Sequence, residues 1–293
     1  MGRLSFSGHE TFACKIYWLK KGYDFVKAGK KFTSDDAVVD LGVGKNMVVS
    51  IRFWLKAFGI LEDNDELSEF AKKIFENDGF DPYLEDPLTL WLLHYQLIKN
   101  ERASIYHLVF NQFRRERIEF TKEHLKHFLN RISSIESGTL INPTTLENDV
   151  RVFLANYINQ KTSEIEEAYN NILQELSLIA NFKQLDDNDH LIDWYQFNLQ
   201  SKDIPVEGLL YVILDNHPSH GQSISLTSLA NDPSSLGNVF LLTEGNLINL
   251  LKQIPAEYAN YTETAGIQVL QVKGKLNKYN ILKKYYTKDY ANV

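Results

Sequence analysis

Residues 36–61, DAVVDLGVGKNMVVSIRFWLKAFGIL, constrain the fold more than any other stretch of this chain. A short apolar segment, a turn holding Gly42 and Gly44, and a longer periodic segment follow one another. The spacing predicts a short helix, a turn and a second helix. Ile60-Leu61 and Glu66-Leu67 can then pair across Asp63-Asn64 as a very short wing. That is the order of a winged helix-turn-helix. At 3.6 residues per turn, Met47, Ile51, Trp54, Leu55 and Phe58 share an apolar arc. Lys45, Val49, Arg52 and Lys56 fall on the opposite side as a basic stripe.

A hydrophobic content of 44% in 293 residues describes a globular chain with room for two or three domains. The single cysteine, Cys14, excludes an intrachain disulfide and a CxxC redox or zinc site. No apolar run is long enough to span a membrane, and MGRLSFSGHETF lacks the apolar core of a secretion signal. The cytoplasm is therefore the expected compartment. The net charge of −7 argues against a general nucleic-acid coat, yet the charge is unevenly placed. Residues 1–60 carry +5, 61–100 carry −7, 101–135 carry +3 and 136–200 carry −8. Six lysines (Lys273, Lys275, Lys278, Lys283, Lys284, Lys288) crowd the C-terminal stretch with no acid among them. Such local positive surfaces can hold phosphates, because screening limits distant acids to roughly 10 Å.

Three parts are expected. Residues 1–80 form a winged helix-turn-helix domain with a leading helix over 15–28, a strand-like Lys31-Phe32-Thr33 and Ser34 capping the helix that ends at Leu41. Ser68 to Glu76 closes it as a helix with Phe70, Ile74 and Phe75 inward. Residues 81–202 form a helical middle domain. Asp86-Pro87 opens a buried helix over 88–98, and Thr144-Thr145-Leu146-Glu147 reads as a capping box. A further helix is expected from Ser163 to Ile179. Residues 203–293 repeat the first architecture with a basic tail: a helix from Val206, strand-like Ser223-Ile224-Ser225, a short helix from Leu226, a helix capped by Thr243, and a hairpin around Ala265-Gly266. The fold class is thus mainly α, with winged helix-turn-helix modules at both ends and small hairpin wings.

Several candidate sites compete with blander readings. Lys45, Asn46, Val49, Arg52, Phe53 and Lys56 are the DNA-facing candidates, since Asn and Arg read base edges and Lys neutralises phosphate. The same residues could instead form a solvated helix face used to dock a protein. The acidic wing, Glu62 to Glu66, would repel a backbone. LGVGKN is not a phosphate loop, because Val39 and Asn46 stand where that motif needs Gly and Ser or Thr. His9-Glu10 reads as structural, with Ser7 or Thr11 capping a helix, since no second acidic partner can be placed beside it. His124 with His127, and His217 with His220, fall short of the three or four ligands a zinc site needs. Asp149 and Arg151 read as ion-pair members. Lys273, Lys275 and Lys278, interleaved with tyrosines, could grip a nucleic-acid backbone or be a solvated tail. No catalytic residue, metal or cofactor is expected.

SGHETF (7–12), WLKKGYD (18–24), DAVVDLGVGKNMVVSIRFW (36–54), YLEDPLTLWLLHYQL (83–97) and TLENDVRVFLANY (145–157) together resemble the bacterial family known as domain of unknown function 4007. The resemblance implies a DNA-modification or phage-defence setting of the phosphorothioation or restriction kind. It carries over no catalytic residue. The expected function is a non-enzymatic accessory protein that binds double-stranded DNA and meets other proteins of such a system, with homodimerisation left open. The alternative is a protein–protein adaptor that recruits a modification enzyme or ATPase without touching DNA.

Overall fold

A computed structural model describes residues 4–158, 171–186, 189–218 and 223–289. The chain divides into two compact units, residues 1–198 and 199–293. It is mainly α-helical, with two small antiparallel three-stranded sheets. Among the described residues, no helix is long and apolar enough to cross a membrane.

The first unit begins with α1 (Ile16–Lys27), whose Trp18, Leu19, Tyr23 and Phe25 are buried. Gly22 lets it lie close to α3 (Lys45–Ala57), since a Cβ there would fall 2.4 Å from Leu55 Cδ1. Between them, α2 (Ala37–Leu41) ends at Gly42, whose φ of 58° is left-handed. Gly44 is extended instead, so only one of the two turn glycines uses a positive φ. On α3, Ile51, Trp54 and Leu55 are buried and Phe58 follows them inward. Each such side chain contributes on the order of 2 kcal/mol. Met47 is only partly covered, and Val48 takes the buried place in the first turn.

Two local expectations fail here for identifiable reasons, and the short pairing expected between residues 60–61 and 66–67 forms in reduced length. Residues 31–33 form a turn rather than a strand, because no strand lies beside them and Phe32 packs on Phe25 at 4.8 Å. Ser34 does not cap α2, whose N-cap is Asp36 without a side-chain bond. The wing is reduced to one bridge, Leu61 with Leu67, closed by Glu62 N–H donating to Glu66 O at 2.9 Å. Ser68 caps α4 (Glu69–Phe75), accepting from Ala71 N–H at 3.0 Å and donating to Gly59 O at 2.7 Å.

Residues 81–198 belong to this same unit and are not purely helical. Asp86 caps α5 (Pro87–Lys99), which is buried along most of its length. Then come α6 (Ser104–Leu108), a π-helical turn (Val109–Phe113) and α7 (Arg114–Glu116). β1 (Glu119–Phe120) follows, then α8 (Lys122–Ser137) and α9 (Pro143–Tyr157). The cap of α9 is Asn142, whose Oδ1 accepts from Thr144 and Thr145 N–H, rather than Thr144 or Thr145. Pro143 suits the first helical turn, so the helix starts earlier than the box pattern suggests. The helix expected over 163–179 does not form in its described half: residues 163–170 lie outside the described residues, Asn171 bridges to Lys15, Ser177 turns left-handed with a φ of 48°, and Ile179 opens a strand. Residues 174–176 form a 3-10 turn, latched to the end of α9 by Asn171 Nδ2 on Ala155 O at 2.6 Å. β2 (Ile179–Leu185) and β3 (Leu191–Phe197) then pair in full register, with β1 on the other side of β3.

In the second unit, α10 (Val206–Asn216) precedes β4 (Ser223–Ser225), α11 (Leu226–Asn231) and α12 (Leu236–Val239). Thr243 caps α13 (Glu244–Lys252), and β5 (Ala259–Thr264) and β6 (Ile267–Val272) form a hairpin. α14 (Lys278–Asp289) packs against α10, with Tyr279 and Tyr211 rings 6.0 Å apart. The sheet order is β4-β6-β5.

Candidate nucleic-acid interface

The outer side of α3 is the part of the first unit that combines exposed cations, an amide and apolar contact groups. Lys45 and Asn46 are exposed, and Val49 is 45% exposed. Val39 of α2, across the turn, is 80% exposed. Neither the Lys45 nor the Asn46 side chain makes an ion pair or hydrogen bond with the other described residues. The opposite face of α3 holds this side rigid: Trp54 Nε1 donates to Phe12 O at 3.1 Å. Asn100 Nδ2 closes the helix end on Lys56 O and Ala57 O at 2.6 and 2.7 Å.

Further along the stripe the cations are already engaged. Arg52 holds both carboxylate oxygens of Asp65, with Nη2–Oδ2 at 2.7 Å. Lys56 Nζ lies 2.7 Å from the other oxygen and donates to Asp63 O at 2.8 Å. Burial would raise the carboxyl of Asp65, but hydrogen bonds from Arg52 and Lys56 and their charges outweigh it, leaving the group below its usual range. Arg102 pairs with Asp63 on the same wing. The acidic wing is therefore folded back onto the basic stripe, and each neutralises much of the other.

Phe53 faces neither solvent alone nor the stripe. It meets Gly8, where an added Cβ would fall 2.7 Å from Phe53 Cδ2, and the His9 ring edge-on at 5.8 Å. This contact belongs to a tightly determined N-terminal loop. Ser7, Gly8, Glu10 and Thr11 all have positive φ. Asp149 of α9 anchors it, accepting from Ser7 N–H at 3.0 and 3.1 Å and from His9 Nε2 at 2.9 Å. Thr11 N–H donates to His9 Nδ1 at 3.2 Å, which assigns the ring proton to Nε2. His9 also stacks on Trp54 at 6.1 Å, and Arg151 donates to Thr11 O at 2.9 Å. His9 thus has an acidic partner after all, and neither Ser7 nor Thr11 caps a helix; α1 starts later, at an uncapped Lys15. Asp149 pairs with His9, while Arg151 binds a backbone carbonyl.

The remaining candidates separate. Lys273 and Lys275 are exposed, whereas Lys278 is tied to Asp215 and lies over the Tyr211 and Tyr279 rings. Lys284 donates to Tyr258 Oη at 2.8 Å, and the side chain of Lys288 lies outside those described. His124 closes a capping box with Thr121, and burial, with Arg117 nearby, lowers its pKa. His220 is outside the described residues. His217 is lowered by burial, opposed by Asp232. Among the described residues, no group of three or more His, Cys, Asp or Glu could hold a metal ion.

The partners that sequence reasoning missed, Asp65 for Arg52 and Asp149 for His9, lie 13 and 140 residues away. Spacing rules reach only about four residues along a helix, so neither pairing leaves a local signature.

No curated protein matches the chain. Two solved structures do. One, a magnesium ion-bound SspB crystal structure, is 27% identical with a TM-score of 0.82, covering 98% of this chain and 88% of that one. The other, an SspB crystal structure, is 26% identical with a TM-score of 0.81 and the same coverage. The model of the family described as Protein of unknown function (DUF4007) matches residues 6–286, so the chain belongs to the DUF4007 family.

Proposed function

We propose that this chain is a non-enzymatic, cytoplasmic DNA-binding accessory protein of a bacterial DNA-modification or phage-defence system. Its α2–turn–α3 segment and minimal wing would act as a winged helix-turn-helix, with α3 entering the major groove of a duplex. The observation that carries this reading is the outer side of α3, where Lys45, Asn46 and Val49 stand exposed and the two polar groups are unengaged. Lys can neutralise phosphate, Asn can bond an adenine edge, and Val can meet a thymine methyl. The second unit, whose helix, strand, helices and hairpin follow winged-helix order, would add Lys273 and Lys275 as backbone contacts. Its α13 presents Glu244, Asn249 and Lys252, which balance in charge, so it is the weaker reader. The likeness to SspB fits a phosphorothioation setting.

A salt-titrated duplex-binding measurement tests this. Lys45→Ala with Asn46→Ala should weaken binding about tenfold and lower the salt slope by about one. Unchanged binding would overturn the reading. The SspB relative binds magnesium, so the purified chain should also be incubated with supercoiled plasmid and magnesium. Nicking would overturn the non-enzymatic part.

An adaptor role is the second reading. It is favoured by the mutual neutralisation of Arg52, Lys56 and Arg102 with Asp65 and Asp63, which engages cations that a phosphate backbone would need and leaves Glu62 and Glu66 exposed for a protein contact. Stable co-purification with a modification enzyme or ATPase, free of nucleic acid, would favour it.

A further inference from the structure

A separate surface cleft lies on the first unit, on the side of α1 turned away from its buried residues. It has a volume of about 370 Å³ and is lined by Ile16, Tyr17, Lys20, Lys21, Asp24, Tyr83 and Leu84. That volume is at the lower end for small-ligand clefts. Two aromatic rings in it are unusually open: Tyr83 is 73% exposed and Tyr17 47% exposed.

The loop that carries Tyr83 is held rigid. Leu84 has a φ of +60°, a conformation that costs energy for a branched side chain. The buried Asp81 carboxylate offsets that cost by accepting from Glu85 N–H at 2.9 Å and Asp86 N–H at 3.0 Å. Asp86 then caps α5, which fixes the loop's far end. The chain therefore uses a strained loop, bonded through Asp81, to hold a large ring in water, where it contributes little to the core.

The charges in the cleft are unequal. Lys20 is occupied, with Asp24 at 2.7 Å and Phe75 O at 3.2 Å, and its Nζ lies 6.0 Å from the Tyr83 ring centre. Lys21 has no partner among the described residues. Asp24 is answered by Lys20, so Lys21 supplies the net positive charge. Apolar and aromatic walls beside one available cation suit a ligand that is planar at one end and anionic at the other. Nucleotides have that form.

We propose that this cleft binds a nucleotide unit, its base stacked on Tyr83 and Tyr17 and its phosphate held by Lys21. The unit can come from a free nucleotide or from a single strand, and α3 plays no part in holding it. Stacking on exposed aromatics tolerates any base, because every base offers a π-face.

The test is a fluorescence-anisotropy titration of the full chain with a labelled oligothymidylate, repeated with unlabelled thymidine monophosphate as competitor. Tyr83→Ala should weaken binding about tenfold, and Tyr83→Phe should bind within about twofold of the native chain. Lys21→Ala should weaken binding and reduce the salt slope by about 0.7. Lys45→Ala, which tests the duplex proposal, should leave oligothymidylate binding unchanged. Competition by the mononucleotide at similar concentration supports a free-nucleotide ligand; its failure, with tight oligonucleotide binding, supports a strand. No binding by the native chain, or equal binding by the Tyr83→Ala and Lys21→Ala variants with unaltered thermal melts, overturns the proposal.

Discussion

Arg52 and Asp65 form a two-oxygen clamp between the outer side of α3 and the wing, with the guanidinium Nε 3.1 Å from each carboxylate oxygen. Lys56 joins the same carboxylate. One wing residue thereby controls two of the cations that duplex binding would use. Asp65→Asn removes a negative charge and releases both. If α3 contacts DNA along its length, the variant should bind duplex about threefold or more tightly, with a salt slope steeper by roughly one. Unchanged affinity and slope would place Arg52 and Lys56 outside the contact.

The same carboxylate gives a pH signature. Asp65 titrates below its unfolded value of about 3.9, so the folded state binds fewer protons. Its stabilisation is complete above that value and is lost as the pH falls through the lowered folded one. The difference in urea midpoint between the native chain and Asp65→Asn should be clear at neutral pH and should shrink toward zero on acidification. A difference that persists in acid would show that the clamp is not electrostatic.

Lys202 works in the opposite sense. Burial brings its ammonium down to about 8. The unfolded chain holds that proton more tightly, so stability rises with pH between about 8 and the unfolded value of about 10.4. Denaturation of the native chain and Lys202→Met should converge as the pH climbs through that window, with the methionine variant the more stable below it.

Two glycines should respond oppositely to alanine. At Gly237 a Cβ would fall 2.3 Å from Ala230 O, so Gly237→Ala should destabilise the second unit by about 2 kcal/mol or more. Gly245 lies within α13 with open space around it, so Gly245→Ala should stabilise it by about 0.5–1 kcal/mol. Thermal melts of the two variants would decide it.

His9→Ala should cost about 3 kcal/mol, because it leaves the buried Asp149 carboxylate without its side-chain donor and opens space beside Trp54. A denaturation midpoint close to the native one would mean that Ser7 N–H alone satisfies the carboxylate.

What could be read from the sequence follows from the range over which each signal acts. The helix of residues 45–57 was legible because Ile51, Trp54 and Leu55 repeat at helical spacing, and the hairpin at Ala265-Gly266 because its turn residues are local. Asp86-Pro87 and Thr243 announced their helices as caps for the same reason. The sheet of residues 119–120, 179–185 and 191–197 was missed. β1 is two residues long, and the outer half of β2 and β3 alternates between mostly exposed residues, so no buried face marks it. Residues that share the candidate DNA-facing stripe were found, but not their engagement. The carboxylate that occupies Arg52 comes from the wing, and helical periodicity carries no information about what folds over a face.

The bond between His9 and Asp149 joins positions 140 residues apart, and Cys14 N–H reaches Asn156 Oδ1 across a similar interval at 2.9 Å. During synthesis at about 5–20 residues per second, the segment around His9 waits roughly ten seconds for its partner. Throughout that interval the strained backbone of residues 7–11 lacks its Asp149 anchor and is held only by its contacts with α3. Completion of α9 is therefore the event that seals the beginning of the chain. A ribosome paused between residues 54 and 149 would hold a nascent polypeptide in which the loop over Phe53 and Trp54 lacks its carboxylate latch, a state that gives a chaperone apolar surface to bind.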